Sequence, residues 1–185
     1  VNDVMSLVSP AMHVIEPGFG SQLRGGKKTG AKHLGSPEGG ALDPYMLAVG
    51  NLLLGNEPDA IALELLGGRL RLHVESSVML VVTGCGFVIT VIRNGQYMPL
   101  AAQTRHRVEK GDELIIQQGP NPGVAYLCLL GGVAADGQTQ PNTEIAKAMS
   151  LGQTIAQHTK LPIRDDVFFG AHIEMLQIEE LSIRV

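Results

Sequence analysis

The stretch from His33 to Asn56, HLGSPEGGALDPYMLAVGNLLLGN, limits the fold of this chain more than any other, because it joins a glycine-rich polar loop to a fully punctuated apolar helix. Asp43 offers an acceptor to the first free N–H groups, Pro44 suits the first helical position, and Gly55 suits a left-handed stop after Leu54. The spacing predicts a helix over 44–54. Its apolar positions Met46, Leu47, Val49, Leu52, Leu53 and Leu54 cover more than a narrow stripe, which implies packing against other elements. The loop before it is thereby held at one end.

Around this helix the chain reads as short strands. Residues 1–11 are weakly patterned, and Met12 to Glu16 forms a first strand ended by Pro17-Gly18. Residues 18–40 then hold eight glycines together with Arg24, Lys27, Lys28, Lys32 and His33, and so long a loop in a compact domain is usually functional, which makes it the expected wall of a site. After the helix, Ala62 to Leu66, Leu70 to Val74, Val78 to Thr83, Phe87 to Arg93, Thr104 to Glu109, Glu113 to Gln118 and Val124 to Leu130 are Leu-rich or β-branched runs between turns. Asn94-Gly95 supplies the positive φ pair of a type I′ hairpin, and Lys110-Gly111-Asp112 is a second turn. With 44% hydrophobic but only 4% aromatic residues, the core must be aliphatic. The expected class is mainly β with a few helices: a mostly antiparallel barrel over residues 1–133. From Ala134 the texture changes. Asp136 to Thr143 reads as a linker, Glu144 to Gln157 as a helix weakened by Gly152, and Ile173 to Val185 as a partly alternating strand, all within an extension over 134–185 that packs on the barrel.

Charge and composition remove several classes. A net charge of −4 argues against a general nucleic-acid or anionic-membrane surface. No run approaches the roughly 20 apolar residues needed to span a bilayer, and no leader pattern precedes Pro10, so a cytoplasmic protein is expected. Cys85 and Cys128 sit in apolar, strand-like surroundings and read as buried, unreactive thiols. The six histidines, 13, 33, 73, 106, 158 and 172, show no HxH or HxxxH pairing, so no metal site is assigned. A GxGxxG turn, a P-loop and a Gly-x-Ser-x-Gly elbow are all missing, which removes the local machinery of dinucleotide binding, NTP hydrolysis and serine hydrolysis.

In order along the chain, VIEPGF (14–19), HLG (33–35), GGALD (39–43), GNLLLGN (50–56), ALELLGGRLRL (62–72), VVTGCG (81–86), KGDEL (110–114) and AYLCLLGGV (125–133) resemble the carboxyltransferase-type family that includes allophanate hydrolase subunit 2, the C subunit of 5-oxoprolinase and the carboxyltransferase region of urea amidolyase. The resemblance implies a cyclophilin-like barrel, one lobe of a groove completed by a second barrel. It also implies work on a small amide or lactam beside a lactam-opening or biotin carboxylase subunit. Carboxyl-biotin would be carried by a partner and ATP used by a partner, with no cofactor held directly by this chain. Some relatives are described as antagonists of a sporulation-kinase inhibitor, so the competing reading is a non-catalytic module that binds a cyclophilin-like partner. A homo-oligomer also fits, since half a groove exposes apolar surface.

The chain departs from the family pattern in places. At 185 residues one barrel is expected, not two, and AADGQTQPNTEI stands where the family carries Gly-Ser-Arg-Ser-Thr. QLRGGKKTGAKHLG lacks the acid of the family's Thr-Val-Gln-Asp-Leu-Gly-Arg run, and Gly39-Gly40-Ala41-Leu42-Asp43 replaces Ser-Gly-Ala-Met-Asp.

Candidate site residues follow from the chemistry. Gly39 and Gly40 allow close backbone approach to a carboxylate or carboxyl-biotin oxygen, with helix-start amides stabilising negative charge. His33 is a candidate proton donor, Asp43 a catalytic carboxylate that can equally be only a helix cap, and Lys27 and Lys28 neutralise an anionic substrate. Glu64, between two leucines in a strand, is either a substrate-contacting carboxylate or a solvated residue on the barrel face. Asn51 joins the substrate set, its competing role being a buried hydrogen-bond partner for the nearby loop.

Overall fold

The computed structural model describes residues 10–25, 40–134, 155, 157 and 160–162. In chain order the elements are β1 (Pro10–Phe19), β2 (Gln22–Arg24), α1 (Pro44–Leu54), β3 (Ala62–Leu65), β4 (Gly67–Val74), β5 (Val78–Gly84), β6 (Phe87–Arg93), β7 (Gln96–Leu100), β8 (His106–Val108), β9 (Glu113–Gln118), β10 (Ala125–Leu129) and β11 (Lys160–Pro162). They form a six-stranded sheet in the order β11-β1-β4-β9-β6-β7 and a five-stranded sheet in the order β2-β3-β10-β5-β8. Every pairing is antiparallel. The mainly antiparallel class expected from the sequence is the one adopted. Among the described residues the ladders do not join into one ring, so the expected barrel takes the form of two sheets around a common core.

That core is aliphatic, as the aromatic content requires. Met12, Val14, Leu70, Leu72, Ile89, Val91, Leu114 and Ile116 of the first sheet meet Leu23, Leu63, Leu65, Leu80, Val82, Leu127 and Leu129 of the second. Each fully buried aliphatic side chain here contributes about 1.5–3 kcal/mol. Consecutive strands do not simply neighbour one another. The chain crosses from the second sheet to the first between β3 and β4 at Leu66, returns to the second between β4 and β5, and crosses to the first again at the Gly84-Cys85-Gly86 turn between β5 and β6. Gly84 sits at φ 97°, with Val124 O 2.1 Å from where a Cβ would stand, so no side chain fits this crossing. The turn also corrects one expectation: Cys85 is exposed on it, whereas Cys128 is buried in β10, where burial pushes its thiol up to about 12.

The first strand runs further than Pro17-Gly18. Pro17 pairs with Leu70 of β4, while β11 reaches β1 only at Pro10, Met12 and His13. Among the described residues Pro17 therefore has a strand partner on one side only, where a missing N–H is tolerated, and register shifts take up the distortion. Strand β11 was not anticipated. With Ile155, which donates its N–H to Ser21 O and lies in the core, it lays part of the later sequence against the sheets. The helix expected over 144–157 is otherwise outside the described residues, as is the strand expected over 173–185. The Asn94-Gly95 reversal has φ 50° and 77° and leads β6 into β7, and Gly111 turns at φ 93°. No helix among the described residues is long and apolar enough to cross a membrane.

Helix α1 spans Pro44–Leu54 as its punctuation predicts. The Met46 N–H donates to Asp43 Oδ1 at 3.1 Å, and Gly55 closes the helix at φ 77°. It lies on the outer side of the second sheet, where Gly50 brings it close: a Cβ there would meet Cys128 Sγ at 2.6 Å. Only Leu47, Gly50, Asn51 and Leu54 are buried, and Leu52 and Leu53 face outward. The broad apolar surface is therefore not enclosed as expected, because the sheet covers one side of the helix alone.

Candidate functional site

Side chains on the helix-facing side of the second sheet form a row that the sequence does not display. Gln22 of β2 lies opposite Glu64 of β3, Glu64 opposite Tyr126 of β10, and Tyr126 opposite Thr83 of β5. Directly paired residues of antiparallel strands share a face, so four polar side chains cross the sheet side by side. The alternate row, Leu23, Leu63, Leu127 and Val82, points into the core.

The polar row holds the rim that enters α1. Glu64 is 1% exposed, which excludes the solvated reading. Its Oε2 accepts from Leu42 N–H at 2.7 Å and from Tyr126 O–H at 2.9 Å, and its Oε1 accepts from Arg24 Nε at 3.1 Å. Arg24 also donates from Nη2 to Gln22 Oε1 at 2.7 Å. The Tyr126 oxygen accepts from Asp43 N–H at 2.7 Å, and Thr83 donates its hydroxyl to Met46 O at 2.7 Å. Burial pushes the Tyr126 hydroxyl far above the ordinary phenol value, and the hydrogen bond to Glu64 pushes it further, while the Asp43 N–H pulls the other way. Tyr126 therefore stays protonated and keeps donating to Glu64. A buried carboxylate needs such a full set of donors, because an unpaired one costs several kcal/mol.

The structure brings three of the expected residues together: Gly40, Asp43 and Glu64 share this corner. Gly40 is exposed with nothing within 4 Å of a Cβ position. Asn51 is elsewhere. It is buried at the far end of α1, where Nδ2 donates to Ala60 O at 2.8 Å and Oδ1 accepts from Asn56 Nδ2 at 3.1 Å. Asn56 in turn donates to Leu129 O and accepts from Gly131 N–H, so this amide pair fastens the helix exit to β10. Lys27, Lys28, His33 and Gly39 lie outside the described residues. Tyr126 and Arg24 were missed as site residues. The signal available was that Glu64 and Tyr126 each interrupt an apolar strand, but their meeting depends on register. Register also sets His13 opposite His73, a pairing that sequence spacing does not show. Among the described residues no group of three or more His, Cys, Asp or Glu side chains is arranged to hold a metal.

Residues 34–175 match the carboxyltransferase domain, subdomain A and B, and the chain belongs to that family. It is 25% identical over 159 residues to the C subunit of 5-oxoprolinase from Escherichia coli (strain K12), covering 82% of this chain and 49% of that protein. To the C subunit of 5-oxoprolinase from Haemophilus influenzae it is 29% identical over 103 residues, covering 56% of this chain and 32% of that protein. The chain thus spans half or less of these curated relatives. The Kluyveromyces lactis urea amidolyase structure has the same fold over 90% of this chain and 10% of its own, with a TM-score of 0.71 at 22% identity.

Proposed function

We propose that this chain supplies one lobe, residues 1–133 with an extension over 134–185, to the substrate groove of a cytoplasmic 5-oxoprolinase or biotin-dependent carboxyltransferase-type complex acting on a small amide, lactam or urea-type substrate. Family membership supports this reading, and the polar row beneath the rim carries it. Stability alone does not call for a buried carboxylate, since well-packed apolar replacements of buried ion pairs are often neutral or better. Here Glu64, directly and through Tyr126, fixes residues 42 and 43, which follow Lys27, Lys28, His33 and Gly39 in the sequence.

The Leu42 and Asp43 amides are spent on Glu64 and Tyr126. Anion contact in this reading therefore falls to the Gly39 and Gly40 backbone and to Lys27 and Lys28, and the open side of Gly40 fits close approach of an oxyanion. His33 donates a proton, and the Asp43 carboxylate serves the substrate while capping α1. Glu64 acts through the rim, and Asn51 through the helix exit. Carboxyl-biotin, where used, supplies the carboxyl group from a partner, and a lactam-opening or biotin carboxylase subunit uses the ATP.

The test is co-expression with the companion barrel and the ATP-using subunit, read as substrate-dependent ATP turnover. Asp43→Ser keeps a good cap but removes the carboxylate, so turnover falls about 100-fold with an unchanged melting temperature if the carboxylate acts in chemistry. His33→Ala behaves likewise. An assembled complex with turnover untouched by both changes defeats the catalytic assignment. It would favour the second reading, a regulatory module that binds a cyclophilin-like partner. One observation already leans that way: the Leu42, Asp43 and Met46 amides at the helix start are all bonded internally.

A further inference from the structure

His13 of β1 and His73 of β4 stand directly opposite each other across an antiparallel ladder. Their neighbours Met12, Val14, Leu72 and Val74 are fully buried, so the pleat turns both imidazoles to the outer side of the first sheet, where each is half-buried. The Cβ atoms of such a pair are about 4.5–5.5 Å apart. Two nitrogens that share one tetrahedral metal ion, each at about 2.0–2.1 Å from it, lie about 3.4 Å from each other. Rings rooted at the first distance reach the second by side-chain rotation, with no change in the backbone. Along the same row Glu113 of β9 lies opposite His73, and its Oε2 accepts from Arg71 Nε at 2.9 Å and from Nη2 at 2.5 Å. Arg69 is matched in the same way by Glu16, at 2.7 Å. Glu75, also half-buried, follows His73 by two residues and donates its N–H to Ala11 O. Lys160 of β11 takes the register position on the far side of His13, and a cation there lowers affinity for a metal ion. Among the described residues no third His, Cys, Asp or Glu completes a cage around the pair.

We propose that His13 and His73 form a two-imidazole site for a borderline divalent transition-metal ion such as Zn²⁺, which clasps β1 to β4 while water fills its remaining positions. Imidazole suits Zn²⁺, Cu²⁺ and Ni²⁺, whereas Mg²⁺ and Ca²⁺ take oxygen ligands. Resident zinc sites use three or four protein ligands. With two, the ion is exchangeable and its dissociation constant is micromolar or weaker. The pair lies on the outer side of the first sheet and the polar row on the helix side of the second, so this site does not depend on the function proposed above.

Calorimetric titration of the full chain with zinc chloride should show a saturable site, and magnesium chloride none. His13→Ala and His73→Ala each weaken Zn²⁺ binding at least about tenfold, since loss of even an outer partner of a metal ligand costs that much. His106→Ala, which removes a ring held on Ala101 O in the other sheet, leaves binding as it was. Acidification to about pH 5 releases the ion, because imidazole ligates only when neutral. A second readout needs no variant to bind: in the native chain Zn²⁺ shifts the ring signals of two histidines in NMR spectra, and these are the signals that the His13→Ala and His73→Ala chains lack. Absence of saturable binding below about 1 mM Zn²⁺ overturns the proposal. Binding of native strength in His73→Ala, or ring shifts confined to other histidines, overturns it equally.

Discussion

Glu64 and Asp112 are the buried carboxylates among the described residues, and each faces an arginine, yet they are assembled in opposite ways. Asp112 meets Arg93 as a fork, with Nε to Oδ1 at 2.9 Å and Nη2 to Oδ2 at 2.6 Å, and Oδ2 also accepts Glu109 N–H at 2.8 Å. All of its partners lie within 20 residues, and it fastens one turn. Glu64 takes one bond each from Arg24, Leu42 and Tyr126, which are 40, 22 and 62 residues away. A staple of the first kind keeps a turn in shape. A junction of the second kind fixes a loop against a sheet, and such a junction can shape a site.

The largest expected effect comes from Glu64→Ala, which strands the Leu42 N–H, the Tyr126 O–H and the Arg24 cation together. Removing one partner of a buried pair costs about 3–5 kcal/mol. Urea unfolding should show a loss of that size, with faster hydrogen exchange at Leu42 and Asp43. A loss below about 1 kcal/mol would dissolve the distinction between junction and staple.

Tyr126→Phe is milder, about 1–2 kcal/mol, since it removes one hydroxyl that serves two partners. The Asp43 amide should exchange faster, while the Val74 amide, which donates to Asp112 O in the other region, should not change. The folded chain holds the Tyr126 hydroxyl above its ordinary value, so the unfolded chain ionises first. That stabilisation is complete below about pH 10 and is lost as pH rises beyond it, a fall the Phe variant should lack.

Asp112→Asn is the smallest, about 1 kcal/mol, because Arg93 is one-third exposed to solvent. The hydrogen bond from Arg93 holds the Asp112 carboxyl below the ordinary range, a bond from the Glu109 N–H adds to this, and burial opposes both. Its contribution is present above the unfolded carboxylate value and lost as pH falls through the lower folded value. The Asn variant should therefore lose less stability on acidification than the native chain does. An acid limb of unchanged slope would show that Asp112 is not a staple.

The parts legible in the sequence share a physical basis. Asp43, Pro44 and Gly55 bounded α1 because capping, fixed φ and left-handed stops act within a few residues. Asn94-Gly95 marked its hairpin for the same reason, and Phe87 to Arg93 and Glu113 to Gln118 showed their strands by local composition. Glu64 drew notice as an acid between leucines, but its surroundings could not be read. Its partners are set by antiparallel register between β2, β3 and β10 and by the rim folding over them. Tyr126 drew no separate notice within its apolar strand run, and Arg24 stood as one cation among several in a loop.

The sequence by itself determined the helix, most strands, the aliphatic core and the family, since each rests on short-range preferences or on an ordered run of motifs. Only the tertiary structure decided which polar side chains meet, that Cys85 is exposed, and that the second sheet covers one side of α1 alone among the described residues. Burial and register are properties of two sheets closing on each other, and no window of sequence contains both sides of such a contact.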